Sequence, residues 1–308
     1  MNKNNNMYRE VRNWIYRNAR LLDIARWKYH FEYGNADEVL QILMEYQNED
    51  GGFGRGLEAD SWNPLSTPIQ TMTAIELLQE IEYTDKNHPI IQGILTYLGS
   101  GADFNGSMWY NVVLSNNDYP HAPWWTADKD RMKNPGYNPT AALAGFALCY
   151  ADRGSTLFKK CERIVKDAIT YLNNETEISM HTLACYVILL EYCEQANITN
   201  LYPVEQTKEL LNQHIQRTIT TNKDSWVTDY ICKPSMFLNS PKSMFYLGIK
   251  EIADYECEFI EKSRNKEGVW DINWNWGEYP EQWPIAKNWW QGHLAIENML
   301  YLKNFNRL

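Results

Sequence analysis

One nine-residue stretch, Tyr46-Gln47-Asn48-Glu49-Asp50-Gly51-Gly52-Phe53-Gly54, constrains the fold more than any other part of the chain, because degraded copies of it recur. Asn265-Lys266-Glu267-Gly268-Val269-Trp270-Asp271 is one copy and Asn222-Lys223-Asp224-Ser225-Trp226 a second. Ser100-Gly101-Ala102-Asp103-Phe104-Asn105-Gly106 is a looser third. Each follows a segment with helical apolar spacing and sets an acidic or small turn residue just before an aromatic one. Glycine suits a left-handed helix cap, where a side chain would clash, and the aromatic can then fold back onto the helices. Such turns at intervals imply repeated helical hairpins.

The segments between the turns alternate in character. Residues 140–150, Thr-Ala-Ala-Leu-Ala-Gly-Phe-Ala-Leu-Cys-Tyr, are apolar on every face, whereas 156–172 carry Lys159, Lys160, Glu162, Arg163, Lys166 and Asp167 on one side. Residues 178–193 are apolar again, and 203–221 and 249–264 amphipathic. A helix apolar all round must be enclosed by protein, and an amphipathic one faces water. Alternation along the chain therefore predicts an inner and an outer layer of helices. Further helices are expected over 7–31, 36–48, 67–83, where Thr67-Pro68 supplies a cap and a first-turn proline, and 89–98, with a closing inner helix from Asn288. The outer-to-inner connections (51–66, 99–137, 222–240, 265–287) are mostly long and rich in Trp, Asp and Glu, while the inner-to-outer ones (84–88, 151–155, 194–202) are short and plain. In a ring of antiparallel hairpins the long loops emerge at one end.

Gln47 to Gly54, followed by Thr67-Pro68-Ile69-Gln70-Thr71-Met72-Thr73-Ala74, resembles the repeat of the terpenoid cyclase and protein prenyltransferase (squalene cyclase-like) superfamily. The match is good over 36–83, fair over 249–303 and weak between. The resemblance implies an all-α fold, an α/α toroid of about five to six helical hairpins around a cavity; no Ser/Gly-rich or charge-block linker divides the chain, so residues 1–308 are read as one domain. The chain departs from those families at their reactive motifs. No Asp-x-Asp-Asp or Asp-rich diphosphate motif is present, and the nearest acidic group is Glu58-Ala59-Asp60. A zinc set of Asp, Cys and His is not matched either: Asp254-Tyr255-Glu256-Cys257 has the wrong gap, and His181 and Cys185 share a face of an apolar helix, which suits packing better than ligation.

Composition narrows the partners. A net charge of −10 without a compensating basic cluster disfavours nucleic acid. The six cysteines contain no Cys-x-x-Cys pair and several fall inside apolar helices, which predicts reduced thiols and a cytoplasmic setting. The polar start, Met1-Asn2-Lys3-Asn4-Asn5-Asn6, has no apolar signal core, and no run is long enough to span a membrane. No cofactor and no metal are expected; a small-molecule ligand is.

Two groups of residues could carry chemistry. Glu58 and Asp60 in the first long loop, and Asp271 and Glu278 in the last, would meet if the ring closes, and two carboxylates facing one cavity can divide into acid and base. His121 could supply a proton near neutral pH. The plainer role for the acids is capping backbone amides within loops. Trp62, Trp109, Trp124, Trp125, Trp274, Trp276 and Trp289 could line a pocket, since indole faces stabilise cations and stack on sugar rings, or could simply plug the helix ends. The resemblance implies a small apolar or isoprenoid-like ligand in an aromatic cavity, with acid catalysis by loop carboxylates. Loops this rich in Trp, Asp, Asn and Tyr also suit a carbohydrate-active enzyme, a glycoside hydrolase or lyase, on the same ring. A non-catalytic binding module is the third reading.

Overall fold

The structure, a computed structural model, describes residues 3–308; Met1 and Asn2, at the head of the polar N-terminal stretch, lie outside it. Twelve α-helices follow one another among the described residues: α1 (Lys3–Asn18), α2 (Leu21–Phe31), α3 (Ala36–Met44), α4 (Pro68–Glu80), α5 (Pro89–Ser100), α6 (Lys129–Lys133), α7 (Thr140–Tyr150), α8 (Thr156–Asn174), α9 (Met180–Gln195), α10 (Val204–Thr218), α11 (Lys250–Lys262) and α12 (Trp283–Asn304). The described chain contains no β-strand, only isolated bridges between loops.

Local chemistry accounts for most helix starts. Thr67 accepts the Gln70 amide ahead of Pro68, His88 accepts the Ile90 amide through Nδ1 ahead of Pro89, and Ser155 and Ser179 cap α8 and α9. The expected first helix is two, since Arg20 is extended (φ −64°, ψ 157°) and separates α1 from α2. The closing helix starts earlier than Asn288, at Trp283, because Pro284 occupies its first turn. Immediately before α11 the chain makes one 3₁₀ turn, Tyr246–Ile249.

The repeated turn is visible atom by atom. In the first copy the Asn48 amide donates to Gly52 O (2.8 Å) and the Gly51 amide to Asn48 O (2.9 Å). In the copy after α11 the Asn265 amide donates to Val269 O (2.7 Å) and the Gly268 amide to Asn265 O (3.0 Å). The matching glycines have φ of 87° and 88°, the left-handed conformation that excludes side chains at little cost only for glycine. The aromatic at the end of each turn, Phe53 and Trp270, is buried. In the copy after α5 the aromatic that fills this place is Trp109 and not Phe104. Trp109 is fully buried, and its amide donates to Thr140 Oγ1 of α7 (3.0 Å) as the Phe53 amide donates to Thr71 Oγ1 of α4 (3.1 Å). Trp226, after α10, is likewise buried and donates Nε1–H to Thr220 O (2.9 Å).

The chain forms two compact units, residues 44–217 and residues 1–43 with 218–308. In the first, α7 packs against α4, α5, α8 and α9, and every residue of α7 except Cys149 is buried. Gly145 allows that contact: a Cβ there would stand 2.8 Å from the Leu189 Cα of α9. The amphipathic helices α8 and α10 bury only one stripe each. In the second unit, α1, α2 and α11 pack on α12. Gly292 of α12 comes close to the start of α2, where a Cβ would meet Ala19 Cβ at 3.1 Å.

Candidate functional site

Within residues 44–217, two long loops are fastened into one surface. Ser61 and His121 form an antiparallel bridge; the Ala122 amide donates to Asp60 O (2.8 Å) and the Trp62 amide to Pro120 O (2.9 Å). This pairing joins the segment that carries Glu58, Asp60 and Trp62 to the one that carries His121, Trp124 and Trp125. Amide side chains hold the pair from beneath. Gln70 of α4 accepts the Leu57 amide (2.9 Å) and donates to Asn63 O (3.0 Å), and Asn63 donates to Asn116 Oδ1 (2.9 Å) and Ser115 Oγ (2.8 Å). Asn116 donates in turn to Trp125 O (3.0 Å). Asn63, Gln70 and Asn116 are all buried, so these bonds are made in a low-dielectric setting where each counts for more than at the surface.

Glu58 and Asp60 are buried in this framework at 8% and 2% exposure. His121 is fixed by both ring nitrogens. Tyr119 O, 2.7 Å from Nδ1, can only accept, so Nδ1 donates to it, and Nε2 lies 3.1 Å from the Thr126 hydroxyl. Trp62 is half-buried and donates to Ala59 O (3.1 Å), while Trp124 is exposed. The Trp125 indole N–H is buried without an acceptor. Trp109 lies apart from this surface, enclosed with Phe104 beneath the Lys160 ammonium, which sits 5.0 Å from the Trp109 ring.

The remaining candidates belong to the other unit. Asp271 and Glu278 are exposed; Asp271 Oδ1 accepts from Asn265 (3.0 Å) and Gln291 (3.1 Å), the loop-capping role open to such an acid. Trp276 is buried against Tyr279 and Trp283, Trp274 packs edge-on against Trp290, and Trp289 carries the Arg20 guanidinium 5.3 Å above its ring.

Other polar sites of this unit carry no motif. Asp23 and Arg26 of α2 are wholly buried and paired at 3.0 Å, and Arg26 also donates to His293 Nδ1 of α12 at 3.0 Å. The flanking Arg20 and Arg26 hold the Asp23 carboxyl below its ordinary range against the opposing effect of burial. Glu256 of α11 is buried, accepts the amide (2.8 Å) and hydroxyl (2.6 Å) of Ser235, and is pushed by burial up to about 7. All three were missed as buried charges in the sequence; the signal that could have found them is a charged residue on a helix face otherwise lined with apolar side chains, which has to find a partner inside.

No protein-family model, curated protein or solved structure matches the chain. Among the described residues no helix is long and apolar enough to cross a membrane, and no group of three or more His, Cys, Asp or Glu is placed to hold a metal ion. Cys185, of the His181–Cys185 pair, is buried with Met72 Sδ at 3.5 Å, and burial pushes its thiol well above the ordinary range.

Proposed function

We propose that this protein binds and acts on a carbohydrate-type ligand at the paired loops 54–66 and 119–127, on a scaffold of the α/α-toroid type. The Ser61–His121 bridge carries the reading, because it sets two acidic side chains, an imidazole and three indoles on one polar frame. Glycoside chemistry needs a carboxyl pair to divide into acid and base or nucleophile, and aromatic faces on which to stack a sugar ring. Asp60 and Glu58 are assigned the carboxyl roles, and His121 the placing of a proton or hydroxyl through Nε2. The unpaired Trp125 N–H adds a donor for a ligand oxygen. The toroid reading is supported by the turn that recurs with the same hydrogen bonds and by the alternation of enclosed and amphipathic helices.

An isoprenoid ligand is the second reading, and the resemblance of Gln47–Gly54 to the cyclase repeat favours it. Against it stand the Asn and Gln frame and the exposed Trp124, which suit a hydrated ligand better than a hydrocarbon. A reducing, cytoplasmic setting agrees with six free cysteines, five of them buried. Turnover of an oligosaccharide panel and of isoprenoid diphosphates by the wild type and by Asp60→Asn tests both readings. The expected outcome is cleavage of a sugar substrate that falls by about a thousandfold or more in Asp60→Asn while the melting temperature stays within a few degrees. Unchanged turnover in the variant, or turnover of the diphosphates alone, refutes the carbohydrate reading.

A further inference from the structure

In the unit built from residues 1–43 and 218–308, two tryptophans share an unmet need. The indole N–H groups of Trp274, in the loop before α12, and Trp290, on α12, are both buried and neither has an acceptor. Their rings meet edge to face, 5.3 Å apart at 82°, so the two belong to one cluster. Tyr230 extends it on the Trp274 side (5.6 Å, 80°) and His293 on the Trp290 side (5.5 Å, 89°). A buried donor left unpaired costs about 1–3 kcal/mol, and an N–H directed at a ring face recovers only part of that. Trp274 and Trp290 are themselves half-buried and Tyr230 is exposed, so the cluster is reachable from solvent.

The groups around the indoles select the kind of acceptor. Arg26 has no lone pair, so His293 Nδ1 accepts from it and the imidazole proton sits on Nε2, which donates to Glu297 Oε1 at 2.9 Å. Asp271, three residues before Trp274, is bonded to Gln291, the neighbour of Trp290. Carboxylates are thus bonded to His293 and to the neighbour of Trp290, and the Arg26 guanidinium on His293 is already paired with Asp23, which disfavours an anion and leaves a neutral ligand. A hydroxyl accepts from an indole N–H and donates to a carboxylate, which satisfies both kinds of group at once. The aromatic faces of Tyr230, Trp274 and Trp290 suit the C–H faces of a saturated ring. We infer that Tyr230, Trp274 and Trp290 form a binding site for a neutral, hydroxyl-bearing ring of the monosaccharide type. The choice of ligand class rests on the carbohydrate reading above, but the site uses none of the residues of the paired loops.

Nuclear magnetic resonance of the full chain with isotope-labelled indole nitrogens tests this, with Trp274→Phe and Trp290→Phe to assign the two signals. Glucose, maltose and cellobiose are the probes and acetate the anionic control. The two indole protons are expected upfield in the free protein, where non-hydrogen-bonded indoles lie, and to move downfield saturably with at least one sugar and not with acetate. Tyr230→Ala, at an exposed position, is expected to weaken that response by about tenfold with an unchanged far-ultraviolet spectrum. The titration repeated on Asp60→Asn separates the two proposals: an indole response without any sugar turnover in the wild type keeps this site and removes the catalytic reading. Indole signals that stay fixed through the sugar series, or that answer acetate alone, overturn it.

Discussion

At Glu256 burial and hydrogen bonding pull in opposite directions, and burial wins. The Ser235 bonds favour the carboxylate, yet the group is pushed up to about 7. Its proton is therefore held more tightly in the folded chain than in the unfolded one, where a glutamate titrates near its ordinary 4.5. Between those two values the folded state binds more protons, so this group's stabilising contribution is complete at the acid end and declines as pH rises through the window. The decline amounts to on the order of 3 kcal/mol. Glu256→Gln is expected to remove that slope, which urea unfolding of both proteins from pH 4.5 to pH 8 will read. Gly51 supplies a second test at the same scale. A methyl there would stand 2.0 Å from Gly93 O at a φ of 87°, so Gly51→Ala is expected to lower unfolding free energy by about 3 kcal/mol or more in denaturant titration.

A capped start and an all-apolar run were both legible from the sequence: Thr67-Pro68 opens α4, and the run at Thr140–Tyr150, which has no side-chain cap, is α7. The break between α1 and α2 was not, because Arg20 is neither Gly nor Pro; its extended backbone coincides with a bond from its guanidinium to Asp23 (3.1 Å). The turn register was legible at Phe53 and Trp270 but slipped at the third copy, where Asp103-Phe104 imitates Gly52-Phe53 while Trp109 does the packing. At the site, sequence could flag Glu58, Asp60 and His121, but not the bridge that joins their loops, since pairing across sixty residues leaves no local pattern. Unpaired indoles such as Trp290 carry no sequence signal either, because pairing depends on the neighbours that packing supplies. The turn itself makes a prediction. Asn265 accepts the Glu267 amide (2.9 Å) and donates to Asp271 (3.0 Å), so Asn265→Ala is expected to cost about 1–2 kcal/mol, seen as a lower urea midpoint at constant slope.

On the scale of the molecule, the division at residues 43/44 and 217/218 separates a continuous unit from a discontinuous one. Residues 44–217 contain the enclosed helix α7 and all the helices packed around it, which makes that stretch self-sufficient in core. Expressed alone, residues 44–217 are expected to give a helical circular dichroism spectrum and a single cooperative urea transition, whereas residues 218–308 alone are expected to stay largely unfolded without α1 and α2 against α12. The discontinuous unit has a further consequence during synthesis. Helices α1 and α2, which carry the buried Val11, Ile15 and Leu22, are translated well before α12, the helix they pack on, because residues 44–217 come between them. At elongation speeds of about 5–20 residues per second, the apolar faces of α1 and α2 wait many seconds for α12, so the nascent chain is expected to engage holding chaperones until that helix emerges.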